Sequence, residues 1–189
     1  MTPRAPALTP DERRQALIEA TLPLVLDHGR SVTTRQIAEA AGVAEGTIFR
    51  VFNTKDDLVD AAVAEAFDME PYVRAVESLD RTGGLDEVVT RAAQVMLDRF
   101  QHVFRLLAVL GHDGVPRKQH PEGWRERIGA AHRELLAAYA EELRVTPREL
   151  MRYVRLLAFG STNPHVNDGP PLTAADITAL VLDGARKDR

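Results

Sequence analysis

Apolar residues recur at helical spacing along almost the whole of this chain. Leu17, Ile18, Thr21, Leu24 and Val25 follow the i, i+3, i+4, i+7 pattern, so a first helix turns one face inward and keeps Arg13, Arg14, Glu19 and Asp27 on the other. Thr9-Pro10-Asp11-Glu12 writes its start: a threonine N-cap, a proline at the first helical position and a glutamate three residues after the cap. Gly29 stops it near His28. Thr33 with Gln36 repeats the capping pattern and opens a second helix, with Ile37, Ala38 and Ala41 facing inward until Gly42. A short third helix covers Glu45 to Phe52, and Thr54 caps a fourth that begins KDDLVDAAVAEAF. Pro71 closes this segment, and Arg81-Thr82-Gly83-Gly84 is a loop.

The longest apolar stretch, LDEVVTRAAQVMLDRFQHVFRLLAVLG, starts at Leu85 and predicts one long helix or two divided near Gln101. Gly and Pro make 112–123 a loop, after which PEGWRERIGAAHRELLAAYAEELR reads as a helix. Thr146-Pro147-Arg148-Glu149 repeats the first start signal. A loop, STNPHVNDGPPL, precedes a last helix capped by Thr173 with Asp176. No strand alternation of useful length competes, so the expected fold is all-α.

Composition narrows the function classes. Of 189 residues 44% are hydrophobic, enough for a packed core, and the absence of cysteine excludes disulfides, thiolate metal sites and cysteine nucleophiles. There is no apolar run of about 18 residues, and the start MTPRAPALTPDERR has no signal-peptide core, so the expectation is a cytoplasmic protein with no membrane partner. Catalysis has little to stand on: no nucleophile–base pattern, no phosphate loop and no paired carboxylates, hence no enzyme activity and no cofactor. His112, Asp113 and His120 share a loop but lack a second ligand pair, so no metal site is expected. The net charge is −4, and residues 1–60 hold 7 basic against 9 acidic side chains, so any contact with nucleic acid depends on local placement of charge.

That placement centres on residues 33–52. Stepping about 100° per residue from Ile48 puts Phe52 beside it and Gly46 and Arg50 opposite, with Thr47 and Phe49 on the flanks. Small residues at Ala38 and Ala41 let two helices cross closely, and Gly42 suits the left-handed residue that ends the first of them. The pattern is a helix-turn-helix, whose second helix enters the DNA major groove.

The run Thr33-Thr34-Arg35-Gln36-Ile37-Ala38-Glu39-Ala40-Ala41-Gly42-Val43, followed by Gly46-Thr47-Ile48-Phe49, Phe52, Lys55 and Leu58, resembles the DNA-binding domain of the TetR (tetracycline-repressor-like) transcriptional regulators. The resemblance spans about residues 11–66. It implies a flexible arm at 1–10, a three-helix DNA-binding domain at 11–66 and a helical ligand-binding and dimerisation domain at 67–189. By resemblance, Thr33, Thr34, Arg35 and Lys55 contact phosphates, while Glu45, Gly46, Thr47, Phe49 and Arg50 form the base-facing side. Arg4 in the arm either reaches a minor groove or belongs to a solvated tail. Three positions depart from the family pattern. Ala44 replaces a serine or threonine cap, which forfeits roughly 1 kcal/mol. Phe49 replaces a tyrosine, and Val51 an aromatic or histidine.

For the second domain, Met96, Phe100, Phe104, Trp124, Ile128 and Tyr139 are candidates to line a small-molecule pocket, with ordinary core as the competing reading. Leu150, Val154, Leu157 and Ala158 form one stripe and Ile177, Leu180, Val181 and Gly184 another. These are read as a homodimer interface or as the core of one monomer. The function expected is a repressor, released from a double-stranded DNA operator by a small-molecule effector. A helical protein-interaction module that keeps the fold without binding DNA is the alternative.

Overall fold

A computed structural model of the chain describes residues 9–111 and 123–185. The arm with Arg4, the loop segment with His112, Asp113 and His120, and residues 186–189 lie outside the described residues. The helices are α1 (Pro10–His28), α2 (Thr34–Ala40), α3 (Glu45–Ile48), α4 (Lys55–Ala66), α5 (Glu70–Glu77), α6 (Leu85–Leu110), α7 (Trp124–Leu135), α8 (Pro147–Thr162) and α9 (Ala174–Ala185). No strand occurs among the described residues, and no described helix is long and apolar enough to cross a membrane.

Local sequence chemistry sets most helix starts. At α1 the Thr9 amide donates to Glu12 Oε2 at 2.7 Å and the Glu12 amide returns a bond to Thr9 Oγ1 at 3.2 Å, so two otherwise unpaired donors are satisfied reciprocally. Thr33 with Gln36, Thr54 with Asp57 and Thr146 with Glu149 do the same. Thr173 and Asp176 exchange equivalent bonds of 2.9 and 3.1 Å at α9. The threonine amides of these caps, joined by the hydroxyls, hold Glu12 and Glu149 below the usual carboxylate range.

Three sequence expectations need revision, and one open alternative is settled. Helix α3 is one turn, Glu45–Ile48, and stops short of Phe52. Ala44 supplies no side-chain cap, and the amides of Arg50 and Val51 reach back three residues to Thr47 and Ile48, tightening the following turn. Pro71 opens α5 instead of only closing the segment before it, because proline in a first turn loses no helical hydrogen bond. The stretch from Leu85 is a single helix. The helix expected to run to Arg144 ends at Leu135 and continues as a 3₁₀ segment, Ala137–Glu142.

The chain divides into two units, residues 1–67 with 105–118 and residues 68–104 with 119–189, so α6 contributes to both. In the first unit α1 packs on α2 and α4, and α2 on α3, around Leu17, Val25, Ile37, Ile48 and Leu58. Leu106, from the end of α6, is fully buried in this core. In the second unit α7 packs on α5 and α8, and α8 on α9, around Val73, Val89, Leu135, Leu150 and Ile177.

This packing corrects the stripe read as a dimer interface. Leu150, Val154, Ala158 and Ile177 have no exposed surface within a single chain, and Val181 is also buried. Helical periodicity marks the most apolar face of each helix, and that face is used by the chain's own core. Leu157 is half-buried, whereas Leu180 and Gly184 are exposed. The apolar side chains that remain outside on α8 are Tyr153, Leu156 and Phe159.

Candidate nucleic-acid interface

The turn between α2 and α3 is built from backbone hydrogen bonds that only a left-handed residue permits. Gly42 has φ 66°, the Gly42 amide donates to the Glu39 carbonyl at 3.2 Å, and the Val43 amide reaches back to Ala38 at 2.9 Å. These are the paired bonds of a Schellman stop, and they satisfy carbonyls that the helix end would otherwise leave bare. Ile48 and Phe52 then anchor the short helix to the core of the first unit. The Arg14 guanidinium lies 5.0 Å from the centre of the Phe52 ring. On the opposite side Glu45, Gly46, Phe49 and Arg50 are exposed, Phe49 at 53% of its surface, and Thr47 is half-buried beside them.

The nine residues expected to meet DNA fall into three groups. Arg35 and Arg50 are exposed and make no side-chain bond among the described residues, so both guanidiniums are free. Gly46, Thr47 and Phe49 present backbone, methyl and ring surface around Arg50. The others are engaged within the protein. The Thr33 hydroxyl donates to Gln36 Oε1 at 2.8 Å and its amide donates to the same oxygen at 2.9 Å, so the cap occupies both. Lys55 Nζ donates to the Arg30 carbonyl at 2.7 Å and lies 3.7 Å from Asp56 Oδ1, tying the start of α4 to the 3₁₀ turn Gly29–Ser31 that follows α1. Arg30 in turn pairs with Asp60 at 2.6 Å.

Thr34 and Glu45 are bonded to each other, the Thr34 hydroxyl donating to Glu45 Oε1 across the turn. Both residues were named from the sequence, each facing outward independently. Their pairing was not foreseen, since nothing in a separation of 11 positions announces a contact.

In the second unit Met96, Phe100, Ile128 and Tyr139, expected to line a pocket, belong to or pack against one hydrophobic core. Met96 is core, Ile128 packs half-buried against that core, and the Arg125 guanidinium lies 5.1 Å from the Trp124 ring centre. The Tyr139 hydroxyl, expected as a polar handle for a ligand, donates to the Gly83 carbonyl at 2.7 Å and so fastens the loop before α6. Phe100 and Phe104 do meet, and Phe159 completes the group at centroid distances of 5.4 and 5.3 Å. A groove of about 440 Å³ lies between α8 and α9, lined by Tyr153, Leu156, Leu157, Leu180 and Gly184 among others. None of the six pocket candidates borders it.

A buried polar pair went unnoticed in the sequence. The Tyr72 hydroxyl and His132 Nε2 are 3.0 Å apart, and their rings meet edge to face. Burial, with the nearby positive charge of Arg155, lowers the His132 pKa to about 4, so the imidazole is neutral at physiological pH. Burial also pushes the Tyr72 hydroxyl up, so it stays protonated.

Comparison with known proteins places this geometry. Residues 17–62 match the family described as bacterial regulatory proteins, tetR family. A curated relative, the HTH-type transcriptional regulator YvkB of Bacillus subtilis (strain 168), is 42% identical over 50 residues, covering 26% of this chain and 26% of YvkB. The chain thus matches about a quarter of that relative's length. Among solved structures, the TetR transcriptional regulator SCO0520 from Streptomyces coelicolor is 23% identical at a TM-score of 0.59, covering 93% of this chain and 99% of that one. The TetR-like regulator LfrR from Mycobacterium smegmatis, solved in complex with proflavine, is 20% identical at a TM-score of 0.52, covering 91% and 94%. These two likenesses extend the shared fold beyond the matched segment to most of the chain.

Proposed function

We propose that this chain is a member of the tetR family of bacterial regulatory proteins and acts as a homodimeric DNA-binding regulator that leaves its operator when a small molecule binds the second unit. The observation that carries the reading is the outward face of α3. A single helical turn, anchored by Ile48 and Phe52, presents Arg50, Phe49, Gly46 and Thr47 to solvent with the free Arg35 of α2 nearby. Such a turn fits the major groove, where an arginine can bond guanine O6 and N7 and apolar surface can meet a thymine methyl. The amides of Thr34 and Arg35, in the first turn of α2, are suited to a phosphate oxygen.

Two reading heads require a two-fold pair. The exposed apolar side chains Tyr153, Leu156 and Leu180, bordering the groove between α8 and α9, are the surface we assign to the partner copy. An effector with a flat apolar body suits the ring cluster of Phe100, Phe104 and Phe159. LfrR, which is similar in fold, was solved with the planar compound proflavine, and that supports such a class here. Because α6 is continuous, a displacement at Phe104 is transmitted along one helix to Leu106, which is buried in the first unit. An effector that favours the released state by only a few kcal/mol relieves repression. In a gel shift with the DNA upstream of its own gene, the wild-type chain forms a complex that Arg50→Ala and Thr47→Ala weaken. Binding indifferent to both would eliminate α3 as the recognition helix.

A further inference from the structure

We infer that Thr34 is a positioning residue: its bond to Glu45 locks the one-turn recognition helix to α2, doing the work of the side-chain cap that Ala44 lacks, and Glu45 is thereby structural rather than base-reading. The inference rests on the DNA-binding function proposed above and assigns two of its residues.

Three observations converge. First, α3 starts without help from its own cap: Ala44 makes no side-chain hydrogen bond, so the first-turn amides of Glu45 and Gly46 lack the usual acceptor. Second, a helix of four residues, Glu45–Ile48, holds itself poorly, because nucleation is unfavourable and there are no later turns to repay it. Its orientation must come from neighbours. Ile48 and Phe52 anchor the C-terminal side of the turn, while on its N-terminal side Val43 packs half-buried against the same core and its amide donates to the Ala38 carbonyl. Third, a side-chain bond on that N-terminal side joins the Thr34 hydroxyl to the Glu45 carboxylate, linking the first turn of α2 to the first turn of α3.

The bond also changes what each residue can do with DNA. The Thr34 hydroxyl has a single hydrogen, committed to Glu45, so it cannot also donate to a phosphate. With Oε1 bonded to Thr34, the Glu45 carboxylate is tied to α2 and is less available to a base. Base discrimination then falls to Arg50, Thr47 and Phe49, and Thr34 and Glu45 contribute affinity by presenting that side correctly.

The experiment uses the full-length chain as wild type, Thr34→Val, Thr34→Ser, Glu45→Ala and the Thr34→Val/Glu45→Ala double variant. Each is passed through selection from a randomised double-stranded DNA pool, and its Kd is measured on the duplex that the wild type selects. Each single loss should weaken binding roughly tenfold, the value of one charge-assisted hydrogen bond, with the double variant no weaker than either single one. Thr34→Ser, which keeps the hydroxyl, should bind like the wild type, and every variant should select the same sequence. Losses that multiply in the double variant overturn the inference. So does a Glu45→Ala protein that relaxes its preference at one base pair while Thr34→Val does not, since Glu45 would then be reading that base. If even the wild type selects no sequence, the proposed function fails, and the pair is judged by urea unfolding without DNA. Equal and non-additive falls in midpoint support the tie, and additive or absent falls refute it.

Discussion

The buried Tyr72–His132 pair makes the second unit acid-sensitive in a calculable way. His132 is 7% exposed, and burial, seconded by Arg155, takes its pKa from the ordinary 6.5 to about 4. Between those values the unfolded chain binds a proton that the folded chain refuses, so stability rises with pH across the window and falls as pH drops through it. The contribution is fully present above the unfolded value and is lost once pH reaches the folded one. A gap of about 2.5 units corresponds to about 3 kcal/mol, with a steepest slope near 1.4 kcal/mol per pH unit midway. The perturbation that isolates this is His132→Gln, which removes the titration and leaves a side chain able to bond the Tyr72 hydroxyl. Urea unfolding followed by far-ultraviolet circular dichroism, from about pH 7.5 to about pH 4, gives both stabilities. The glutamine protein loses the edge-to-face ring contact and carries a constant offset, but its stability should fall less than that of the wild type as pH drops. The carboxylates held low by their caps, Glu12, Glu149 and Asp176, titrate alike in both proteins and cancel in the difference. A wild-type minus variant difference that stays flat across the window would refute the buried neutral imidazole.

Other outcomes separate core from surface and scaffold from recognition. Leu150→Ala, at a fully buried site, should cost about 2–5 kcal/mol in chemical denaturation, whereas Leu156→Arg, at a 52% exposed site, should leave the fold and shift sedimentation from dimer to monomer. A Leu156→Arg protein that remains dimeric would dismiss this face as the partner surface. A Cβ built at Gly46 meets nothing within 4 Å, so Gly46→Ala should stabilise α3 by about 0.5–1 kcal/mol while weakening operator binding, read by thermal melting and gel shift. Ala44→Ser supplies the missing cap and should raise stability by about 1 kcal/mol, with an unchanged denaturation midpoint counting against the helix start described here. With Arg35 and Arg50 as the exposed cations of the helix-turn-helix that have no side-chain partner among the described residues, a plot of log affinity against log salt for the dimer should have a slope near −4, and a slope twice as steep would reveal further phosphate contacts.

What the sequence made legible was local. Thr9, Thr33, Thr146 and Thr173 each announce a helix because the cap and its partner lie three residues apart, and Gly42 announces the turn because few other residues tolerate its φ. Proline was ambiguous: Pro71 ends one segment and begins the next, and only packing of Tyr72, Val73 and Val76 decides that a helix follows. Periodicity found the apolar face of α8 and α9 but not its partner, so Leu150 and Ile177 were open to assignment as interface when they are core. The contacts that sequence could not reveal join distant positions. Tyr72 and His132 are 60 residues apart, and Thr34 meets Glu45 only because the turn folds α3 back across α2.

Charge explains why so much of the candidate interface is spent on holding itself together. The first 60 residues carry more acid than base, so an unpaired acidic surface would repel DNA. Several cations there are committed internally: Arg30 to Asp60, Lys55 to the Arg30 carbonyl, and Arg14 over Phe52. Each internal bond stiffens the scaffold, and in the Arg30–Asp60 pair the carboxylate offsets a positive charge that would otherwise attract any phosphate backbone. Sequence-independent affinity falls with it, and since a regulator's real competitor is the mass of non-specific sites, a weak background favours discrimination as much as a tight operator would. The remaining contacts, Arg50 with Phe49 and Thr47 on one rigid turn, then carry a larger share of the binding free energy. Under the function proposed above, a small rotation of that turn forfeits the operator, and an effector acting through α6 would need to supply only the few kcal/mol that separate the two states.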